Sequence, residues 1–346
     1  MSPSHRLINL QGTRIHTVEQ GEGPLVILIH GFPESWYSWR HQLPALAQAG
    51  YRAVAIDQRG YGQSSKFPDV DAYRIDRLVA DVINLIDHYG EQQAVVVGHD
   101  WGAPVAWTAA WLHPDRVRGV AGLSVPFAGR ALVGLPGNPW GDIRPSEYYK
   151  TFTGDDKVFY QTHFGARQDI ITEIEADLRH WMLGLIYTVS GEAVAAAAAA
   201  GQIPEDPLQA LRDGPLCLAP GGRLMDAFVW PDTLPAWLTE DDLEFFVGEF
   251  QRSGFAGPLA FYNQVDAGWA YLEPHADQPL TVPSVFIGGE MDVATHWGVD
   301  ALAQVHDYCR DHRGSHIVPG SGHWIQQECP QETNRLLLDF LEGLRG

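Results

Sequence analysis

Cysteine is scarce in this 346-residue chain, with only Cys217, Cys309 and Cys329 present. Their number is odd and none stands in C-x-x-C spacing, which argues against a disulfide framework or a zinc site and for buried free thiols in a reducing compartment. Basic residues are also in short supply. Lys and Arg total 23 against 43 Asp and Glu, a formal net charge of −20. Duplex binding and polybasic membrane attachment need the opposite sign, so neither nucleic acid nor membrane is an expected partner. The overall field favours a neutral or cationic small molecule over a polyanion. No run approaches the roughly 20 apolar residues of a membrane span, and Met1 to Gln20 hold no apolar stretch of the secretory kind. The expected location is the cytoplasm. H-E-x-x-H does not occur, and Gly314 interrupts His312 to His316. Gly60-x-Gly62 lacks the third glycine of a dinucleotide fingerprint. No metal or other cofactor is therefore expected.

Apolar material is plentiful. Hydrophobic residues make up 45% and charged ones 19%, a globular profile with enough for a sizeable core. Short apolar runs at Leu25–Ile29, Tyr51–Ile56, Ala94–Val97 and Val117–Val125 alternate with helical patterns such as Arg77–Tyr89. This order predicts a mostly parallel sheet covered by helices on both faces, with functional residues just past the carboxyl ends of the strands. From about Ala128 to Leu280 the β-branched runs stop and helical patterns take over, the clearest at Ile171–Leu185 and Asp241–Gln251. Strand character returns at Val282–Ile287 and His316–Val318, and a helix closes the chain at Glu332–Leu344. The expected organisation is an α/β core from residues 1–135 and 276–346, split by a linker loop and helical cap over residues 136–275.

The chemistry centres on Gly98-His99-Asp100-Trp101-Gly102, between a strand and a helix. It has the form of a nucleophile elbow, with aspartate where serine usually sits. The flanking glycines permit a sharp turn that pushes the central side chain into a cleft at a helix N-terminus, where a carboxylate is favoured. A carboxylate attacks an electrophilic carbon without a base to activate it. The competing interpretation of Asp100 is a plain helix cap. Further pieces weigh against that. His30-Gly31-Phe32-Pro33 follows the first buried strand, and the Phe32 and Trp101 N–H groups could form an oxyanion hole. Asp292 follows the Val282–Ile287 strand and His323 follows the last one, giving the chain order nucleophile, acid, histidine. The alternative acid position holds Ser124, Val125 and Pro126, none acidic, and Glu290 is the nearer rival to Asp292. His5, His41, His88, His113 and His180 fall in polar stretches and read as surface residues.

The segments H-G-F-P-E-S-W-Y-S-W-R, D-Q-R-G-Y-G-Q-S-S, G-H-D-W-G and G-H-W resemble those of soluble epoxide hydrolases, and the similarity extends over nearly the whole chain. The resemblance implies an α/β-hydrolase fold with an inserted cap, and hydrolysis of an epoxide to a vicinal diol through a covalent aspartyl ester. It implies Asp100 as nucleophile, His323 as activator of water and Asp292 as the group that orients the histidine. It also implies two cap tyrosines that hydrogen-bond the epoxide oxygen, matching Tyr160 and Tyr262, with Tyr148, Tyr149 and Tyr187 as competitors for the first. Such donors are needed because ring opening leaves an alkoxide, and a neutral phenol can donate to it. His30, Pro33, Trp36 and Trp324 are candidate substrate-binding residues, and the expected substrate is small, neutral and largely apolar. One departure is Asn263 after Tyr262, where the family often has a basic residue.

A haloalkane dehalogenase is similar in the elbow and would use the same aspartate, with Trp101 holding the halide. The two cap tyrosines favour the epoxide. A non-catalytic ligand receptor on this fold is disfavoured by the three intact triad positions. The expected oligomer is a homodimer, since twofold assemblies are the commonest.

Overall fold

The structure, a computed structural model, describes residues 2–345. Ten strands are described: β1 Ser4–Asn9, β2 Arg14–Gln20, β3 Leu25–Ile29, β4 Arg52–Ile56, β5 Ala94–His99, β6 Val117–Leu123, β7 Val158–Phe159, β8 Cys217–Leu218, β9 Ser284–Gly289 and β10 His312–Val318. Eight of them form one sheet in the order β1-β2-β4-β3-β5-β6-β9-β10. From β4 to β10 all neighbours are parallel, while β1 and β2 add an antiparallel edge.

Alternation along the central strands explains why the sheet is covered twice. Leu25, Ile27 and Ile29 enter one apolar cluster, and Val26 and Leu28 enter the other. Val54 and Ile56 likewise separate from Ala53 and Ala55, and Val96 from Val95 and Val97. A two-residue period thus feeds two cores at once, as a doubly covered parallel sheet requires. The helix Ile75–His88 packs its Leu78, Val82, Leu85 and Ile86 on the first cluster, and Pro330–Gly343 packs Leu337, Phe340 and Leu341 on the second.

The edge pair β1–β2 was not apparent in the sequence, because five of the six residues of β1 are exposed and carry no burial period. The helical pattern expected over Ile171–Leu185 is broken. Asp177 leaves helical geometry at φ −154° and its side chain accepts from the His180 N–H, so Gln168–Ala176 ends and Leu178–Thr188 begins. Local capping by an aspartate outweighs a continuous apolar stripe there. The helix expected over Asp241–Gln251 is Glu240–Ser253, opened by a reciprocal Thr239–Asp242 capping box.

Between β6 and β9 the chain forms helices, with β7 and β8 pairing as a small antiparallel bridge. Its aromatic residues reach down onto the carboxyl ends of the strands, as in the contacts of Phe32 with Phe164 and Tyr262. None of the described helices alone is long and apolar enough to cross a membrane.

The helix Gly102–Leu112 is buried nearly all round because it lies between the sheet and the helix Ile75–His88. Its Trp107 stands over Gly122 of β6, where an added Cβ would lie 2.3 Å from the indole. Gly122→Ala should therefore overpack this seam and cost about 1–3 kcal/mol, read as a lower urea midpoint. An unchanged midpoint would contradict this packing.

Candidate active site

The strand ends align before the site is built. Ile29 pairs with Gly98, Gly98 with Gly122, and Leu123 with Ile287. The loops that follow therefore leave the sheet at one level and carry Phe32, Asp100, Ser124 and Asp292 together.

Asp100 sits in the turn from β5 to the helix Gly102–Leu112 at φ +49°, a left-handed conformation rare for residues other than glycine. The turn closes by backbone contact. A Cβ at Gly98 would meet the Gly102 carbonyl oxygen at 2.0 Å, and one at Gly102 would meet the Ile29 carbonyl oxygen at 2.0 Å. The carboxylate is fixed on one side by the Phe32 N–H, which donates to Oδ1 at 2.7 Å. On the other side His323 Nε2 lies 3.5 Å from Oδ2.

His323 follows β10, and its Nδ1 lies 3.0 Å from Asp292 Oδ1. Asp292 is fully buried, and its remaining capacity is filled by the Ala294 N–H at 3.0 Å and the Thr295 hydroxyl at 2.8 Å. Burial opposes ionisation of Asp292, but the charge and hydrogen bond of His323 outweigh it and hold the carboxyl below its usual range. Burial also opposes protonation of His323. Here the charges of Asp292 and Asp100 prevail and raise the imidazole well above its ordinary value. The rival acid Glu290 is exposed and accepts from the Gly320 N–H instead. Ser124 holds the alternative acid position and is not acidic, yet its Oγ lies 2.9 Å from His323 Nδ1.

A mostly apolar cavity lies between sheet and cap, with Asp100, Trp101, Phe32, His323 and Trp324 on its floor. Tyr160 and Tyr262 enter from the cap with ring centroids 5.9 Å apart. Tyr262 lies edge-on to Trp101 at 5.3 Å. Burial first, and then neighbouring groups that include the Asp100 carboxylate, raise both phenols. Both are therefore neutral and able to donate. The Gln161 amide donates to the Tyr160 oxygen at 3.1 Å and in turn accepts from the Tyr149 hydroxyl. That order leaves the Tyr160 hydrogen free to point elsewhere. Tyr148 donates to the Pro136 carbonyl, so both neighbouring competitors are engaged away from the cavity, and Tyr187 does not line it.

Three candidate binding residues lie elsewhere. His30, Pro33 and Trp36 do not line the cavity. His30 is fully buried and is tied to Gln58 by the Gln58 N–H at 3.1 Å and by its own carbonyl at 2.7 Å. Its role is to join the β3 and β4 loops. Pro33 turns the chain away behind a cis peptide bond with Phe32. Trp36 packs edge-on against Tyr37 and Phe245, where burial of its large apolar ring is satisfied without the cavity. Among the described residues no cluster of His, Cys, Asp and Glu could hold a metal ion.

Sequence motifs assign no role to Glu34, Gln161 or Trp297. Trp297 lines the cavity from the helix that Asp292 caps. Glu34 is buried and accepts from the Gly31 N–H at 2.9 Å, with His99 Nδ1 at 2.7 Å, while His99 Nε2 lies 2.7 Å from the His323 carbonyl oxygen. Burial works against the Glu34 charge, yet His99 holds the carboxyl at about 2. The only signal for Glu34 was its place within H-G-F-P-E-S, a few residues from Phe32.

Fold and site together define an α/β-hydrolase built around an aspartate elbow. Residues 24–166 match the family model described as alpha/beta hydrolase fold. The chain is 59% identical to epoxide hydrolase B of Mycobacterium tuberculosis, with all of both chains covered. It is 40% identical to epoxide hydrolase A of the same organism, over 99% of this chain and 98% of that one. Among solved structures, an epoxide hydrolase from an endophytic Streptomyces superposes with a TM-score of 0.89 at 46% identity, covering 99% of this chain and 96% of that one. Epoxide hydrolase A of Mycobacterium thermoresistibile superposes at 0.84 with 37% identity and 99% of both chains covered. The chain belongs to the epoxide hydrolases of the α/β-hydrolase fold.

Gly31 is where the oxyanion loop and the elbow touch, and an added Cβ would lie 2.3 Å from both Cβ and Oδ1 of Asp100. Gly31→Ala should push the carboxylate off the Phe32 N–H and lower kcat/KM by about 10²-fold, with the circular dichroism of the folded protein kept. Full activity would contradict the geometry.

Proposed function

We propose that the protein hydrolyses a small, neutral, largely apolar epoxide to a vicinal diol in two steps, through an ester on Asp100. The observation that carries this is the carboxylate held between the Phe32 N–H and His323, with two neutral phenols in the cavity above it. Asp100 Oδ2 attacks an epoxide carbon and the carbon–oxygen bond breaks. Tyr160 and Tyr262 donate to the departing oxygen, which becomes one hydroxyl of the diol. His323 then removes a proton from water, which attacks Asp100 Cγ. The Phe32 and Trp101 N–H groups hold the oxyanion, and the second hydroxyl leaves with Oδ2. Asp292 fixes the tautomer and stabilises the imidazolium, as the acid of a catalytic triad does. Residues 136–275 serve as the cap that brings the tyrosines over the carboxylate and excludes bulk water. The phenols favour an epoxide oxygen over a halide as the group to be stabilised.

The charge balance also orders the two steps. In the resting site Asp292 and Asp100 together favour protonated His323 against burial. Esterification removes the Asp100 charge, so the imidazole pKa falls and the ring becomes available as a base when water must be activated. Below the pKa of the esterified state the ring stays protonated and hydrolysis slows. Above it, hydrolysis recovers. Acidification should therefore increase the fraction of enzyme trapped as ester during turnover, measured by rapid quench and intact mass. A fraction independent of pH would contradict the assignment.

Replacing His323 by Gln should leave alkylation possible and stop hydrolysis, giving a stable mass gain equal to one substrate. No adduct under substrate excess would refute covalent catalysis by Asp100. Tyr160→Phe and Tyr262→Phe should each slow alkylation by about 10²-fold, measured in single turnover. Unchanged rates in both would remove the tyrosines from the mechanism.

A further inference from the structure

Glu328 ends the short helix Ile325–Glu328 and does not line the cavity. Its carboxylate gathers three backbone N–H groups from two parts of the chain. Oε2 accepts from Gly322 at 2.8 Å, and Oε1 accepts from Trp324 at 3.0 Å. These two amides flank His323. The third comes from the cap, where Gly191 donates to Oε2 at 3.0 Å from the first turn of the helix Gly191–Ala199. No ion pair to Glu328 occurs among the described residues. Burial pushes the Glu328 carboxyl up to about 7 against the three N–H groups that favour its charge, so the charge is held at a desolvation cost and its hydrogen bonds fix where the backbone lies.

The surrounding contacts run across the same seam. The His323 N–H donates to the Val189 carbonyl at 3.1 Å, and the Trp324 indole donates to the Ile186 carbonyl at 2.7 Å. Backbone meets backbone here without room for a side chain. A Cβ at Gly322 would lie 2.1 Å from the Gly191 nitrogen, and one at Gly191 would lie 2.4 Å from the Gly320 carbonyl oxygen. The cap segment 186–191 is therefore the surface on which the histidine loop is held.

We propose that Glu328 is a positioning residue for His323, clamping the histidine loop to the cap through the N–H groups of Gly322, Trp324 and Gly191, and that this clamp serves the hydrolytic half-reaction selectively. The proposal rests on the two-step mechanism above. Alkylation needs Asp100, held by the Phe32 N–H, and the phenols, but no base to activate water. Hydrolysis needs the imidazole placed within reach of both a water and Asp100 Cγ, and a displacement of about 1 Å can cost about 10²-fold.

Glu328→Gln keeps the size of the side chain but turns an amide N–H toward backbone donors, and Glu328→Ala removes the clamp. In single-turnover quench experiments normalised to titrated active sites, both variants should alkylate within about twofold of the parent. Ester hydrolysis should slow by about 10- to 100-fold, and the ester should accumulate as a mass gain on Asp100. Equal losses in both half-reactions, or no loss in either, would overturn the proposal. His323→Gln run in parallel separates the two ideas: absence of an ester there defeats the covalent mechanism rather than the role of Glu328. Amide hydrogen exchange in the parent enzyme gives a second test that needs no variant. Gly191, Gly322 and Trp324 should be protected together, and rapid exchange at any of the three would show that no clamp exists.

Discussion

The site depends on one constraint: a carboxylate held in a left-handed turn where a strand, a helix and a neighbouring loop meet with no space between their backbones. Asp100 at φ +49° carries strain of about 1–3 kcal/mol for a residue with a side chain. Gly98 and Gly102 make the turn sterically possible, and the Phe32 N–H bond to Oδ1 gives it direction. The parallel strands put this turn level with the loops that carry Ser124 and Asp292, so the rest of the site assembles around it.

Three acidic side chains around this turn hold loops in register through their hydrogen bonds. Asp292 is fully buried beside His323, Glu34 is buried beside His99, and Glu328 accepts three backbone N–H groups under the cap. Such groups cost desolvation energy and are tolerated because their hydrogen bonds are satisfied. His323 is approached from three sides: Asp292 holds its ring, His99 lies against its carbonyl, and the cap carbonyl of Val189 receives its N–H. Sheet and cap therefore share the placement of one imidazole.

Much of this was legible in the sequence because it is local. Buried strands declare themselves as unbroken apolar runs, and the elbow is written in five consecutive residues. The order of Asp100, Asp292 and His323 follows from where strands end. The exposed edge strand β1 carries no such period, and Asp177 interrupts a helix for reasons of capping that an apolar stripe conceals. The misplaced binding residues have a common physical origin. His30, Pro33 and Trp36 lie close to Phe32 in the chain, but the chain turns at Pro33 and carries Trp36 into packing behind the loop. Trp297, Gln161 and Glu328 could not be found from motif spacing, because their significance lies in contacts between segments distant in sequence.

The central claim is that Asp100 forms and loses a covalent bond in each turnover. It is tested most directly by a single turnover in 18O-water with enzyme in excess, followed by mass analysis of both the diol and the peptide containing Asp100. The account predicts a diol without label and one 18O atom in that peptide, because water attacks Cγ and the oxygen that leaves comes from the aspartate. A labelled diol with an unlabelled peptide would mean that water attacks the epoxide directly, and would contradict the account.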